Sequence, residues 1–291
     1  QIPFYSALVT RIGSKNLDKF GNKNMVAHEH TSLVSALPKS GHAILNADDE
    51  LVSNMAYHTA AQVVLYGTST AATVRLVRSV RLPSGGFALE VAVGKRHYQL
   101  SLPKLVAFSQ TYAALAALAV AHLLEKDLDR AAAALSELHP PAGKLSLVPT
   151  PSGALILDSS REATPESMLA ALHTLRTWSA LPAEASAKAG RRIAVLGDLT
   201  DQAGETIGAH KKIGRAAAES THIFVAVGQH MRYAGGEALL RRPGPDVHHF
   251  LTPSEVGEWI KPYLAANDVI LIMGSPDMHM EKIVADLSNT T

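Results

Sequence analysis

The residues best placed to do chemistry are Asn46-Ala47-Asp48-Asp49, which set two adjacent carboxylates directly after the apolar run Gly41 to Leu45. Polar residues just beyond a strand commonly line a site in α/β sheets, so Asp48 and Asp49 are candidate substrate residues, although a polar turn accounts for them equally well. His28-Glu29-His30 puts two imidazoles in one helix, but side chains two apart point to different faces, so no metal site is expected. Met278-His279-Met280 and His248-His249 read as surface or packing residues. The pairs Arg191-Arg192, Lys211-Lys212 and Arg241-Arg242 read as solvated surface, with contact to RNA or an acidic protein as the alternative. No Gly-x-x-Gly-Lys-Thr or Gly-Lys-Ser loop occurs, so the backbone cradle such a loop gives phosphates is missing from these residues. The chain has no cysteine, which removes disulfides, thiolate metal sites and a cysteine nucleophile.

The elements that must position these groups follow from periodicity. Short apolar runs alternate with helical patterns, as in an α/β protein with a largely parallel sheet. Phe4 to Ile12 predicts a strand, Asn24 to Leu37 an amphipathic helix, and Gly41 to Leu45 a second strand. From Gln62 to Leu102 the pattern becomes β-rich, with Pro83-Ser84-Gly85-Gly86 turning Thr73 to Arg81 back onto Phe87 to Val93 as an antiparallel flap. Helices are expected from Ser109 to Glu125 and from Leu128 to Leu138, before His139-Pro140-Pro141-Ala142-Gly143 stops them. Beyond a boundary near Leu147 to Gly153, the runs Ala154 to Leu157, Ile193 to Leu196, Ile223 to Val227 and Val269 to Met273 have strand length with helical segments between them. That spacing predicts a Rossmann-like, doubly wound second domain, its first helix opened by Thr164-Pro165-Glu166. The two expected domains are 1–148 and 149–291.

In sequence order, several segments resemble the Mur ligases, most closely the type that adds D-alanyl-D-alanine to the muramoyl tripeptide. Thr10-Arg11-Ile12-Gly13, Asn16-Leu17-Asp18 and Phe20-Gly21 are similar to the family's Thr-Asn-Ile-Gly, His-Leu-Asp and Phe-Gly. Ala27-His28-Glu29-His30 stands at the family's Ala-x-Glu-Lys, and Asn46-Ala47-Asp48-Asp49 matches Asn-Ala-Asp-Asp. Gly143-Lys144-Leu145, Asp158-Ser159-Ser160, Pro165-Glu166-Ser167-Met168, Leu196-Gly197-Asp198-Leu199 followed by His210, Gly274-Ser275 and Met280-Glu281 continue the pattern. The resemblance implies an incomplete central domain with a β-rich flap, followed by a C-terminal domain. It also implies a family reaction in which ATP and magnesium activate a carboxylate as an acyl phosphate for attack by an amine. By this likeness Lys144, Asp158 and Ser160 are candidate residual nucleotide contacts. His210 joins Asp48 and Asp49 as a substrate candidate, although its place in a helical pattern suits a structural or interdomain role as well.

The departures from the family pattern fall on groups that carry chemistry. Arg11 stands for an Asn, Asn16 for a His, and His30 for the lysine the family carbamoylates to help hold magnesium. Ser109-Gln110 stands for a nucleotide-contacting His-Asn pair, Arg161-Glu162-Ala163-Thr164 for Tyr-Asn-Ala-Asn, and Met273 and Pro276 for a Lys and an Arg. The expectation is therefore a non-catalytic homologue kept as a structural or interaction subunit, without a cofactor of its own. The alternative is a fragment or split half of an active ligase. A start at Gln1 directly before a strand-like run reads as loss of an upstream segment that holds the phosphate loop. A protein partner or that missing half would cover the cut sheet. The near balance of 27 Lys plus Arg against 26 Asp plus Glu provides no global field for nucleic acid or membranes. The expected setting is soluble and reducing, cytoplasm or organelle matrix.

Overall fold

The computed structural model describes residues 4–15, 17–82, 85–178, 190–200, 202 and 205–289. Two compact units emerge, one of Gln1–Gly13 with Lys19–His139 and the other of Ser14–Asp18 with Pro140–Thr291.

The first unit runs β1 (Ser6–Val9), the helical turn α1 (Leu17–Phe20) at its border, α2 (Lys23–Ser35), β2 (His42–Asn46), α3 (Glu50–Ser53) extended by a 3₁₀ turn, β3 (Gln62–Gly67), β4 (Val74–Arg81), β5 (Phe87–Val93), β6 (Arg96–Leu102), α4 (Thr111–Leu123) and α5 (Leu128–Ala134). Its six-stranded sheet has the order β1-β2-β3-β4-β5-β6. β1 to β3 pair in parallel, β3 touches β4 in parallel only at Tyr66↔Val74 and Gly67↔Arg75, and β4-β5-β6 form an antiparallel meander. The flap expected from the sequence is thus the far half of one continuous sheet, and β3 belongs to the parallel half. Two turn residues predicted for the β4–β5 connection, Pro83 and Ser84, lie outside the described residues; Leu82 N–H donates to Gly86 O at 2.9 Å across it. The Ala-rich α4 buries Ala114, Leu115, Leu118 and Ala119 completely. They join one core with Tyr66, Leu89 and Leu100, and each fully buried Leu contributes about 2 kcal/mol of transfer free energy.

The second unit runs β7 (Ser146–Pro149), β8 (Leu155–Ser159), α6 (Pro165–Trp178), β9 (Arg192–Gly197), α7 (Thr206–Ser220), β10 (Ile223–Val227), α8 (Met231–Leu239), β11 (Asp246–Phe250), α9 (Pro253–Ile260), β12 (Val269–Met273) and α10 (Glu281–Ser288). The sheet order is β11-β10-β9-β12-β8-β7, parallel except for the β7–β8 hairpin. β7 spans the 148/149 position expected as the domain boundary and pairs with β8 in the second unit, whose main segment begins at Pro140. β12 lies between β8 and β9, so the chain leaving β8 passes over it through α6 before re-entering the sheet. A crevice at the carboxyl ends of β8, β12 and β9 is where such sheets place ligands.

Candidate functional site

In the first unit, the residues after β2 fasten three neighbouring strand ends. Asn46 donates its amide to Thr10 O at 2.8 Å and accepts Asp48 N–H at 3.0 Å. Asp49 accepts Ile12 N–H at 3.1 Å and, as the cap of α3, Val52 N–H at 3.1 Å. Asp48 accepts Thr68 N–H at 2.6 Å, Ser69 N–H at 2.9 Å and the Tyr112 hydroxyl at 2.8 Å. Partial burial raises the Asp48 pKa, but the hydrogen bonds from Thr68, Tyr112 and Ser69 outweigh it and hold the carboxyl below its ordinary value. Tyr112 is pushed up to about 12, by burial first and then by its bond to Asp48. Tyr66, also at about 12 through burial and the charge of Asp49, has a buried hydroxyl without a hydrogen-bond partner. Both candidate carboxylates therefore already accept hydrogen bonds from the protein itself.

The second unit repeats the device after β9. Asp198 is buried and accepts His230 N–H at 3.0 Å and Met231 N–H at 2.6 Å, neutralising donors at the start of α8. His210 is fully buried in α7; its Nδ1 donates to Thr206 O at 2.6 Å while Nε2 accepts Leu199 N–H at 3.2 Å, which fixes the neutral tautomer. Burial lowers its pKa, opposed by the Thr206 bond and by Asp198. Ser275 Oγ accepts Thr200 N–H at 2.9 Å, joining the loops after β12 and β9.

The three nucleotide candidates sit nearby in the same unit but differ in what they touch. Lys144 pairs with Glu162 at 3.0 Å, and Lys15 approaches the same carboxylate at 3.8 Å. Asp158 accepts Ser160 N–H at 3.0 Å. The Ser160 hydroxyl is buried and has no hydrogen-bond partner. Lys15, Glu162, Thr164, Thr200, Ser275 and Asp277 line a cavity of about 120 Å³ at the strand ends. Glu162 entered the sequence reading only as a departure from the family pattern, and Lys15 and Tyr112 were not singled out, since each gains its place from partners far along the chain.

Of the replaced positions Asn16 lies outside the described residues, and several of the others have defined surroundings. His30 Nδ1 donates to Val26 O at 2.8 Å in its own helix, whereas His28 faces a groove shared with His58, so the two imidazoles do diverge. Gln110 Oε1 accepts Val106 N–H at 2.8 Å and Ala107 N–H at 3.0 Å at the start of α4. Met273 is buried at the end of β12, and Pro276 is exposed after it. Among the described residues no three His, Asp or Glu side chains gather as metal ligands would. No helix among them is long and apolar enough to cross a membrane.

Two family models match in register with the two units: the Mur ligase middle domain over residues 1–121, and the Mur ligase glutamate ligase domain over 143–276. The chain belongs to the Mur ligase family. It is 31% identical over 213 residues to UDP-N-acetylmuramoyl-tripeptide D-alanyl-D-alanine ligase of Mycobacterium tuberculosis, covering 72% of this chain and 40% of that protein. The Escherichia coli ligase of the same name is 27% identical over 297 residues, covering 97% of this chain and 60% of the relative. The chain thus spans roughly half the length of these Mur ligases. Crystal structures of MurF from Acinetobacter baumannii, with a TM-score of 0.84 and 22% identity, and of MurF ligase from Thermotoga maritima in complex with ADP, at 0.81 and 15%, each cover 99% of the chain. They match 60% and 62% of the respective solved chains. This likeness carries the Mur ligase fold of both units.

Proposed function

We propose that this Mur ligase homologue does not perform ligation by itself and serves as a structural or interaction subunit of a larger assembly. One observation carries the reading. The side chains it shares with the family pattern at the strand ends, Asp48, Asp49, Asp198 and His210, are committed to its own backbone. His30 stands where the family pattern has its metal-holding lysine, and Met273 and Pro276 stand where it has a Lys and an Arg. Magnesium and ATP do not fit the residues present: the His30 ring is tied to Val26, and Lys144 is matched by the Glu162 carboxylate, whose charge would oppose a phosphate. No step through either group is derived. An exposed flank supports partnership, since β1 is an edge strand whose Leu8 is 42% exposed, with Tyr5 just before it 64% exposed. A protein partner, or further Mur ligase sequence, would cover it.

A second reading is favoured by the relatives' length. If the rest of such a ligase accompanies this chain, it forms part of a muramoyl-tripeptide D-alanyl-D-alanine ligase, and the cavity beside Thr200 and Ser275 receives a substrate amine. Two measurements separate the readings. Calorimetry of the 291-residue chain with magnesium and ATP is expected to give no saturable heat. The full natural gene product, supplied with ATP, muramoyl tripeptide and D-alanyl-D-alanine, is expected to release no phosphate above background. Tripeptide-dependent phosphate release would overturn the first reading.

A further inference from the structure

The chain is almost neutral overall, yet its charge is unevenly placed. Residues 206–242 hold six Lys and Arg against two Glu, while the other 254 residues hold 21 against 24 acidic residues. This segment is α7, β10 and α8 with the turn that follows. The two helices lie side by side and run the same way, because Arg215 meets Glu237 at 2.9 Å and, four residues further along, Glu219 meets Arg241 just past the end of α8. Both acids are thereby used. Lys211, Lys212, Arg232 and Arg242 remain exposed, with no acidic partner among the described residues. Arg191 and Arg192, by contrast, are bound to Asp268 and to Ser220 O and contribute nothing to this face.

Apolar groups share the face. On α7, Ile207 lies one turn before Lys211 and is 48% exposed; Leu239, the last residue of α8, and its cap Leu240 lie about two turns beyond Arg232 and are 51% and 76% exposed. Tyr233 is half-buried with the Arg232 guanidinium 5.0 Å from its ring centre, and neither helix presents an exposed Phe, Tyr or Trp on which bases could stack. Cations without acidic partners, together with exposed leucines, fit a layer of phosphates above an acyl boundary better than they fit nucleic acid.

We propose that the outer face of α7 and α8 docks on an anionic lipid surface. The inference does not depend on whether the chain takes part in ligation. The test is cosedimentation of the 291-residue chain with phosphatidylcholine vesicles, with and without phosphatidylglycerol, at low and high salt. Binding to the anionic vesicles only, weakened by salt, is expected. Lys211→Glu with Lys212→Glu should weaken it by on the order of fivefold or more per charge. Leu240→Ser should weaken it without changing its salt dependence, and Lys39→Glu with Lys126→Glu should leave it unchanged. Circular dichroism verifies folding of each variant, and the comparison of vesicles with the unaltered chain stands even if a variant fails to fold. Equal sedimentation with neutral vesicles, none with either kind, or undiminished binding by the Lys211/Lys212 variant would each overturn the proposal. So would displacement by inorganic phosphate at constant ionic strength, which would mark a site for phosphate ions instead.

Discussion

Asp48 and Asp198 solve the same problem in the two units under opposite conditions. Each follows a central parallel strand, each accepts two backbone amides from the segment after the neighbouring strand, and each lies against a glycine at that neighbour's end. A Cβ on Gly67 (φ +147°) would lie 2.6 Å from the Asp48 carboxylate, and one on Gly228 (φ +105°) 2.5 Å from that of Asp198. Parallel neighbours have no hairpin to hold their ends, so a carboxylate clasp takes its place. The two clasps differ in solvent access. Asp48 is exposed and borrows a tyrosine hydroxyl, whereas Asp198 is buried beside two imidazoles. Equal hydrogen-bond geometry should therefore yield unequal energies, since losing an acceptor costs most where water cannot replace it.

Mutations can test that inequality in descending order. Asp198→Ala should cost about 3 kcal/mol, because it strands the buried Met231 amide and the partly buried His230 amide at the start of α8. Denaturant unfolding read in the second unit is the measurement; a loss no larger than that at Asp48 would break the comparison. His210→Gln should cost about 2 kcal/mol at neutral pH. Because burial depresses the His210 pKa in the folded state, its stabilising contribution is present above the ordinary imidazole value and is lost as pH falls through the lower folded one. Wild-type stability should thus decline on mild acidification, and the variant should show a shallower slope. The slope will not vanish, since His222 is depressed too, by burial and then by Arg192. Asp48→Ala should cost only about 1 kcal/mol, as solvent reaches the amides it leaves. Ser160→Ala should be neutral or slightly stabilising in thermal unfolding, because the hydroxyl it deletes is buried without a partner. A clear loss there would mean that Ser160 has a partner in solution.

Much of the fold was legible because buried strands announce themselves by composition. Phe87–Val93, Ile223–Val227 and Val269–Met273 are strands over the residues their apolar runs predict. Two edge strands escaped notice for the opposite reason. β11 reads Asp-Val-His-His-Phe and β7 ends in Pro149, and edge positions tolerate the polar residues and the proline that central positions exclude. Helices shortened at their ends, where Phe108–Gln110 and Leu135–Glu137 tighten into 3₁₀ turns. The candidate residues were visible by type, but their partners were not. Asp48 is held by amides 20 and 21 residues away, and an amide carries no signature of its own in the sequence. The usable trace was indirect: an Asp just after one strand, then a glycine at the end of the next.

That trace bears on how the loops above the sheets move. Loop amides ordinarily exchange with solvent hydrogen freely, but Thr68, Ser69, His230 and Met231 donate to carboxylates rooted in the adjoining strand turn. For these positions to open, a clasp must break as well as a loop swing. The carboxyl rim of the second sheet, with its buried clasp, should therefore open more slowly than a free loop, and that of the first sheet, with its exposed clasp, should gain only a few-fold protection.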